Sequence, residues 1–349
     1  MALAPLTRGR SGRSQVPNDV NSEYYVQRST AGLVISEGTI ISEQAMGWAG
    51  APAIYKPEHV EGWKKVNHSV HAAGGVIFCQ LWHMGRTAGR CFHGLQPVAA
   101  SAIAAEGRVT DYDGNKHAYE VPRALLLDEI SAAVNEYRIA ARNAKEAGFD
   151  GVEIHGANGY FIDTFLQSST NHRTDAYGGS VENRFRILAE VIEACKEAYP
   201  STRIGVRLSP NGVFGSMGSG DNYDSYLEIL SKLDKLNLAY VHVMDGLGFG
   251  FHDKCKALTL SDARSVYKGF IIGNVGYTKE TAEEVIQSGD ADMIAFGRPY
   301  ISNPDLPGRF ENGYPIAEAS HQDYWTNPDS RGGDPRVGYT DFPVYSPNS

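Results

Sequence analysis

The sequence predicts a single (β/α)₈ TIM barrel that spans residues 1–349. Eight short runs rich in valine, isoleucine and leucine alternate with segments of helical periodicity, which is typical of strand–helix units that build a parallel sheet. No G-x-G-x-x-G motif lies between the first strand and the first helix, as a doubly wound dinucleotide-binding sheet would require. Eight evenly spaced units therefore favour a closed barrel over an open sheet.

The predicted strands are short and apolar, as strands buried on both faces are. In chain order they span residues 2–6, 32–39, 75–81, 151–155, 203–208, 240–244, 270–273 and 291–296. Parallel strands all end at the same face of a barrel, and catalytic residues of barrel enzymes lie at that face. Side chains at these eight strand ends are therefore the first candidates for a functional site.

Helices are predicted at residues 57–73, 128–147, 181–199, 224–235 and 278–288. Asp128 and Thr278 are predicted N-caps, because their side-chain oxygens can accept from backbone N–H groups of the first turn. Gly148 and Gly289 are predicted to follow two of the helix ends, because glycine readily takes the left-handed conformation found there.

Composition narrows the class of protein. Lysine and arginine total 32 against 41 acidic residues, a net charge of −9 that is spread along the chain. Binding to nucleic acid or to an anionic membrane is therefore not expected. The four cysteines form no C-x-x-C pair, which disfavours zinc and iron–sulfur sites and suits a reducing compartment. With no leader peptide and no apolar run of about 18 residues, we expect a cytoplasmic protein.

Three stretches lie outside the regular strand–helix rhythm. Residues 85–122 and 155–180 are long connections that follow the third and fourth strands, so we expect both at the catalytic face. Residues 311–349 are polar with scattered aromatic side chains, and they are predicted to form a C-terminal tail that wraps the barrel.

The end of the fourth strand carries three polar side chains within one turn. His155 and Asn158 each offer an N–H donor that could converge on one substrate oxygen. Tyr160 would stay protonated near neutral pH and could deliver a proton. The alternative interpretation is that His155 and Asn158 only satisfy backbone groups of the turn.

Other strand ends carry groups that suit a flavin. Gln80 ends the third strand, and its neutral amide could pair with the pyrimidine edge of the ring. Arg207 ends the fifth, and a guanidinium near flavin N1 and O2 would stabilise the anionic reduced ring. The alternative is a polar layer that caps the barrel core.

The last two strands end in a candidate phosphate site. Gly273 and Asn274 follow the seventh strand, while Gly297 and Arg298 follow the eighth and lead into a helix. Loops seven and eight with a helix N-terminus are the usual phosphate cradle of barrels. Glycines let backbone N–H groups approach the phosphate, and Arg298 adds a bidentate charge.

Five segments of the sequence resemble the Old Yellow Enzyme family in their residues and in their order along the chain. They are residues 1–8, 80–86, 155–160, 171–180 and 295–300, and the similarity runs from residue 1 to about residue 343. The resemblance implies an FMN-dependent ene-reductase that takes hydride from NADPH, with NADH possible, by ping-pong kinetics. It also implies small-molecule substrates, namely alkenes conjugated to carbonyl or nitro groups and quinones, and a monomer or homodimer.

The resemblance assigns roles residue by residue. Tyr160 is the implied proton donor, and His155 and Asn158 bind the substrate oxygen. Trp82 and Tyr339 correspond to aromatic positions that line the substrate pocket, with core packing as the alternative for Trp82. The implied FMN-binding residues are Pro5, Leu6, Thr7, Gly38, Gln80, His155, Asn158, Arg207, Gly273, Asn274, Gly297 and Arg298.

One departure from the family concerns the barrel floor. Family members usually begin with a hairpin that plugs the floor, and here Met1 lies where the first strand is already under way. We therefore expect apolar side chains at the floor to be partly exposed and the fold to be less stable.

Two other functions stay open from the sequence. A metal-dependent hydrolase could use His83, His155 and His172, although they lack a recognisable ligand spacing and no metal is predicted. A barrel that binds flavin without catalysis is the second alternative.

Overall fold

The structure is a computed structural model that describes residues 1–246, 251–318 and 333–346. Eight parallel strands form its central barrel: β1 Ala2–Leu3, β2 Leu33–Ile35, β3 Ile77–Trp82, β4 Gly151–Gly156, β5 Ile204–Leu208, β6 Tyr240–Met244, β7 Ile271–Asn274 and β8 Met293–Phe296. Each strand pairs with the next in sequence, and β1 also pairs with β8, so the sheet closes on itself. The predicted barrel is confirmed, with all eight strands in the predicted places.

Helices connect the strands and cover the outside of the barrel. They are α1 Asp19–Gln27, α2 Pro57–Ala72, α3 Arg90–His93, α4 Leu127–Glu146, α5 Phe161–Leu166, α6 Val181–Lys196, α7 Asn222–Leu233, α8 Leu260–Val266, α9 Lys279–Ser288, α10 Arg298–Ser302 and α11 Leu306–Asn312. No helix among the described residues is long and apolar enough to cross a bilayer.

The predicted helix ends are confirmed at three of four positions. Thr278 caps α9 by accepting from the Thr281 N–H at 3.3 Å. Gly148 and Gly289 have φ values of 86° and 79°, the left-handed conformation expected after a helix. The prediction that Asp128 is an N-cap was wrong: α4 begins one residue earlier, and the side chain of Glu129 reaches back to the Leu126 N–H at 2.8 Å.

Two aromatic rings fill the lower interior of the barrel. Phe78 on β3 and Tyr240 on β6 point inward, and their ring centroids are 5.9 Å apart. Gly151 and Gly205 make room for them, because a Cβ on either glycine would lie within 2.4 Å of the Phe78 or Tyr240 ring. Both aromatic side chains are consequently buried.

The expected exposure at the barrel floor is therefore only partly confirmed. Val76 and Phe270 directly precede β3 and β7, at the floor end of the barrel, and are 39% and 40% exposed. The interior itself is closed by Phe78 and Tyr240, which are 5% and 3% exposed. The glycine–aromatic packing explains why the expectation was wrong for the interior.

The first long connection at the catalytic face contains short strands of its own. Val98–Ala99 pairs with Arg123–Ala124, and Arg108–Thr110 forms a hairpin with Lys116–Ala118. This excursion brings Tyr119 near Tyr160, whose pKa it affects. The connection therefore forms part of the wall around the strand ends.

The described part of the C-terminal segment packs against the barrel helices. Gln27 on α1 donates to the Thr340 carbonyl at 2.8 Å, and the Tyr345 N–H donates to Asp305 at 2.7 Å. Residues 319–332 and 347–349 of the predicted tail lie outside the described residues. The assignment of the whole chain to one domain stays a prediction.

Candidate active site

A tight turn after β4 presents the predicted catalytic side chains. Asn158 and Gly159 have φ values of 58° and 70°, and the Tyr160 N–H donates to the Ala157 carbonyl at 3.2 Å. An Asn-Gly pair at the two central positions is the sequence preference of a type I′ turn. Ser209 fixes the turn by accepting from the Asn158 N–H at 2.8 Å.

Three aromatic rings meet at this turn. The Tyr160 ring packs edge-on against Trp82 and His155, with centroid distances of 5.1 and 4.9 Å. Trp82 and His155 lie 6.3 Å apart, and all three side chains are buried. The structure therefore brings together the residues predicted for substrate binding and proton transfer.

Burial sets the protonation of two of these groups. It lowers the pKa of His155 well below its ordinary value, and the positive charge of Arg207 lowers it further. The imidazole is consequently neutral near pH 7 and can donate from one ring nitrogen. Burial, together with Tyr119, raises the pKa of Tyr160 above its ordinary value, so its phenol stays protonated.

Below the turn, the middle of the barrel holds a polar layer. Glu153 on β4 accepts from Gln80 Nε2 at 2.7 Å and from His242 Nδ1 at 2.9 Å. Arg207 Nη2 donates to Asn274 Oδ1 at 2.7 Å. The bond to Glu153 fixes which way the Gln80 amide points, because it commits the Nε2 end to the carboxylate.

Several buried polar atoms in this region have no partner among the described residues. They include Trp82 Nε1, His155 Nδ1 and Arg207 Nε. Buried donors and acceptors are almost always satisfied in native proteins, so unpaired ones at one site indicate a ligand. Their nature suits a flat, polar-edged ring such as a flavin, and the predicted roles of Gln80 and Arg207 in binding it stay predictions.

The loop ends of β1 and β2 also adjoin this region. Gly38 lies directly against Trp82, because a Cβ there would be 2.4 Å from the Trp82 ring. Pro5 is buried, whereas Leu6 and Thr7 are half-buried and Gly297 packs against Leu6. These positions are compatible with contact to a bound ring, and that role stays a prediction.

The predicted phosphate residues have contacts that the sequence did not indicate. A Cβ on Gly273 would lie 2.6 Å from Leu260 and 2.9 Å from Ile294, so packing alone accounts for that glycine. The Asn274 side chain is engaged inside the barrel, where it accepts from Arg207 and donates to the Ala295 carbonyl at 2.7 Å.

The other two predicted phosphate residues, Gly297 and Arg298, lie at the end of β8, and their role stays a prediction. Arg298 is exposed at the first turn of α10, directly after Gly297. Val275 and Gly276 after β7 have φ values of 88° and 87°. A positive φ is rare for a β-branched residue and marks a strained turn at this loop.

Tyr339 lies in a different environment from Tyr160. Its ring stacks on Tyr24 of α1 at 4.3 Å, its hydroxyl accepts from Asn21 at 3.1 Å, and Arg8 lies 5.2 Å from the ring centroid. The side chain is fully buried by these contacts. They place it beside the loop after β1, and its role in lining the substrate pocket stays a prediction.

Two buried acids near the site were missed from the sequence. Glu153 lies between Gly151 and His155 at the two-residue spacing of inward-facing positions, and this pattern could have identified it. Asp163 on α5 accepts from the Gly159 N–H at 2.8 Å and from the Tyr226 hydroxyl at 2.6 Å. No sequence signal distinguished Asp163, because its partners come from distant segments.

The histidines proposed for a metal site have other contacts. His83 Nδ1 accepts from the Gly85 N–H at 3.0 Å, its ring stacks on Phe161, and His172 is exposed. No group of three or more histidine, cysteine or acidic residues in the described ranges could hold a metal ion.

A closed parallel barrel with a protonated tyrosine, a neutral histidine and a buried polar layer at its strand ends is the arrangement expected of a flavin-dependent oxidoreductase. The chain belongs to the NADH:flavin oxidoreductase / NADH oxidase family, whose model matches residues 1–316. Members of this family are FMN-dependent enzymes, and the chain is an oxidoreductase acting on CH–CH donors.

Curated relatives match almost the whole chain. Putative 12-oxophytodienoate reductase 11 from Oryza sativa subsp. japonica is 39% identical over 347 residues, covering 98% of this chain and 93% of that protein. Flavin oxidoreductase hxnT from Emericella nidulans is 41% identical over 366 residues, covering 97% and 92%.

Solved structures share the fold. The old yellow enzyme homologue from Zymomonas mobilis (NCR) has a TM-score of 0.93 and 44% identity, covering 99% of this chain and 95% of that one. Morphinone reductase in complex with tetrahydroNAD has a TM-score of 0.91 and 39% identity, covering 100% and 94%. The resemblance noted in the sequence is confirmed.

Proposed function

We propose that the protein is an NADPH-dependent ene-reductase that reduces alkenes conjugated to a carbonyl or nitro group. The observation that carries this proposal is the placement of His155, Asn158 and Tyr160 on one turn, with the His155 and Tyr160 rings 4.9 Å apart. This arrangement combines donors for a substrate oxygen with a protonated acid beside them.

FMN would be held by residues at the ends of several strands. The Gln80 amide and the Arg207 guanidinium would bind the ring, with Pro5, Leu6, Thr7 and Gly38 beside it. Gly273, Asn274, Gly297 and Arg298 are the proposed residues near the phosphate. Bound FMN would supply the hydride chemistry, with hydride drawn from the nicotinamide and delivered to the β-carbon of the alkene.

The substrate oxygen would be bound by His155 and Asn158. Each donates one N–H, and together they stabilise the negative charge that develops on this oxygen as the alkene accepts hydride. Loss of one such donor typically costs about 3 kcal/mol of transition-state stabilisation. The donors need no reorganisation, because the His155 ring is buried and the turn fixes Asn158.

Tyr160 would complete the reaction by protonating the α-carbon. Its raised pKa keeps the phenol protonated throughout the neutral range. Trp82 would pack against the substrate beside it, and we propose that Tyr339 lines the outer part of the pocket.

Reduction by NADPH and reduction of the alkene would use the same pocket. Nicotinamide and substrate then bind in turn, which predicts ping-pong kinetics. The structure of morphinone reductase with tetrahydroNAD supports a nicotinamide site in this fold. A cytoplasmic location is proposed with it, on the ground that Cys79, Cys91, Cys195 and Cys255 are free thiols.

Reconstitution and anaerobic titration test the proposal. We expect mass analysis of the released flavin to give FMN, because the proposed phosphate residues Gly297 and Arg298 follow β8 and the sequence has no dinucleotide motif. NADPH should reduce the bound flavin, and cyclohexenone or a nitroalkene should reoxidise it. A colourless protein after reconstitution would refute flavin binding, and a yellow protein that NADPH cannot reduce would support a non-catalytic barrel.

A further inference from the structure

A fully buried carboxylate lies inside the barrel, directly below the proposed reaction site. Glu153 precedes His155 by two residues on β4, so both side chains point to the barrel interior. The rise along a strand separates them by about 6–7 Å. No step of the proposed reaction uses this carboxylate.

The surroundings of Glu153 keep it ionised. Burial acts to raise its pKa, but its polar neighbours, His242 first, outweigh burial and hold the pKa below the ordinary value. The two carboxylate oxygens are occupied separately, one by Gln80 at 2.7 Å and the other by His242 at 2.9 Å. An acid with zero exposure therefore carries a full negative charge within the polar layer.

Arg207 carries a positive charge that acts on the site, where it lowers the pKa of His155. It is the register partner of both His155 on β4 and His242 on β6, so it lies between the reaction site and His242, one of the two partners of Glu153. Glu153 attracts the Arg207 guanidinium electrostatically. The effective charge that the site presents to a bound ring is consequently the sum of these two opposite charges.

We propose that Glu153 is a positioning residue that offsets the charge of Arg207 and thereby sets the balance between oxidised and reduced FMN. This inference rests on the proposed function, because it requires FMN above the polar layer. Two-electron reduction adds negative charge to the flavin ring, so a buried anion nearby disfavours the reduced form and Arg207 favours it. Removing the anion should favour the reduced form.

The central test is the midpoint potential of bound FMN in the Glu153→Gln holoenzyme. Glutamine has the same size as glutamate, and its side-chain oxygen can still accept from Gln80. Its NH₂ group can donate to His242, because the neutral imidazole can change tautomer and accept. We expect the affinity for reduced relative to oxidised FMN to rise about tenfold or more, since a unit charge acts over about 10 Å in the barrel interior. A tenfold change equals about 30 mV for a two-electron couple.

Two variants serve as controls. Asp150→Asn removes one negative charge just before the same strand, where the carboxylate is partly exposed and bound to the Ile77 N–H. It should leave the potential unchanged, because water screens that charge. Glu153→Asp keeps the buried charge and should stay close to wild type.

A comparison of a single and a double variant at Arg207 keeps the test decisive if Glu153→Gln does not fold. Glu153→Gln leaves the buried Arg207 charge without its counter-charge, which is destabilising. In Arg207→Gln the Glu153 carboxylate keeps its hydrogen bonds from Gln80 and His242, and in the double variant both charges are gone. The potential of Arg207→Gln should then be lower than that of the double variant Arg207→Gln, Glu153→Gln. This comparison isolates the same carboxylate.

The outcomes separate the two proposals. A wild-type protein that binds no FMN refutes the proposed function. If the wild-type protein binds FMN, equal midpoint potentials of wild type and Glu153→Gln refute the role of Glu153. Equal potentials of the two Arg207 variants do the same. Glu153 is then a purely structural residue. A lower melting temperature at unchanged potential has the same meaning.

Discussion

Replacing Tyr160 by phenylalanine separates proton delivery from substrate binding. The ring contacts with Trp82 and His155 remain in this variant, so the unfolding free energy should change by less than about 1 kcal/mol. The O–H is lost, and general acids typically contribute about 10²- to 10⁴-fold, or about 2.7–5.5 kcal/mol of activation free energy. We expect the enone half-reaction to slow by that factor.

The pKa of Tyr160 predicts how this loss depends on pH. Burial and Tyr119 raise the pKa above its ordinary value, so the wild-type phenol is protonated at every pH below about 10. The ratio of wild-type to variant rate should therefore be constant from pH 6 to about pH 9.

Stopped-flow measurement of both half-reactions provides the assay. Flavin reduction by NADPH and reoxidation by a quinone should persist in Tyr160→Phe, because neither needs protonation at carbon. Tyr119→Phe is the matched control, since it removes a neighbouring phenol and should behave as wild type. Equal rates of wild type and Tyr160→Phe with cyclohexenone would remove Tyr160 from the mechanism.

Three further predictions concern the turn and a buried histidine. His155→Ala removes a donor to the substrate oxygen, so kcat/KM for cyclohexenone should fall by about 10²- to 10³-fold. Phenol binding, measured by its charge-transfer band, should weaken as well. Unchanged phenol binding would contradict the role of His155. Gly159→Ala places a Cβ 2.7 Å from Met217 at a φ of 70°, so the turn must shift and enone reduction should be impaired. FMN binding, followed by flavin fluorescence, should persist. Full activity of this variant would show that the turn tolerates the shift. Burial lowers the pKa of His83 to about 3, so only the unfolded chain takes up this proton as pH falls from about 6.5 towards 3. The unfolding free energy should therefore fall by up to about 1.4 kcal/mol per pH unit in that window. The His83→Asn variant keeps an acceptor for the Gly85 N–H, and its unfolding free energy, measured by urea titration at several pH values, should depend less steeply on pH. An identical pH dependence in the two proteins would contradict this prediction.

The barrel was predictable because its signals are local. Each strand is a short apolar run, and glycines such as Gly148 and Gly289 mark helix ends by their own conformational preference. The N-cap at Asp128 was predicted wrongly because α4 begins before it, at Leu127, which leaves Asp128 inside the first turn. Asp128 suits a cap by residue type, but residue type alone does not fix where the helix begins.

The site was predictable only where one turn carried it. His155, Asn158 and Tyr160 are adjacent in sequence, so their convergence followed from the strand end. Glu153 and its partners Gln80 and His242 come from three strands, and the packing of Tyr339 on Tyr24 joins the two ends of the chain. Such contacts depend on barrel register and tail placement, which no local pattern specifies.

The left-handed backbone at position 158 restricts which amino acids evolution or a mutagenesis library can use there. Among residues with a side chain, asparagine, aspartate and histidine tolerate the φ of 58° best, whereas β-branched and bulky residues do not. Of these three, only asparagine and neutral histidine can donate an N–H to a substrate oxygen. A saturation library at this codon should therefore yield two active alleles, Asn and His. Residues such as glutamine or lysine have an N–H donor but do not suit the left-handed backbone, and they should be recovered inactive.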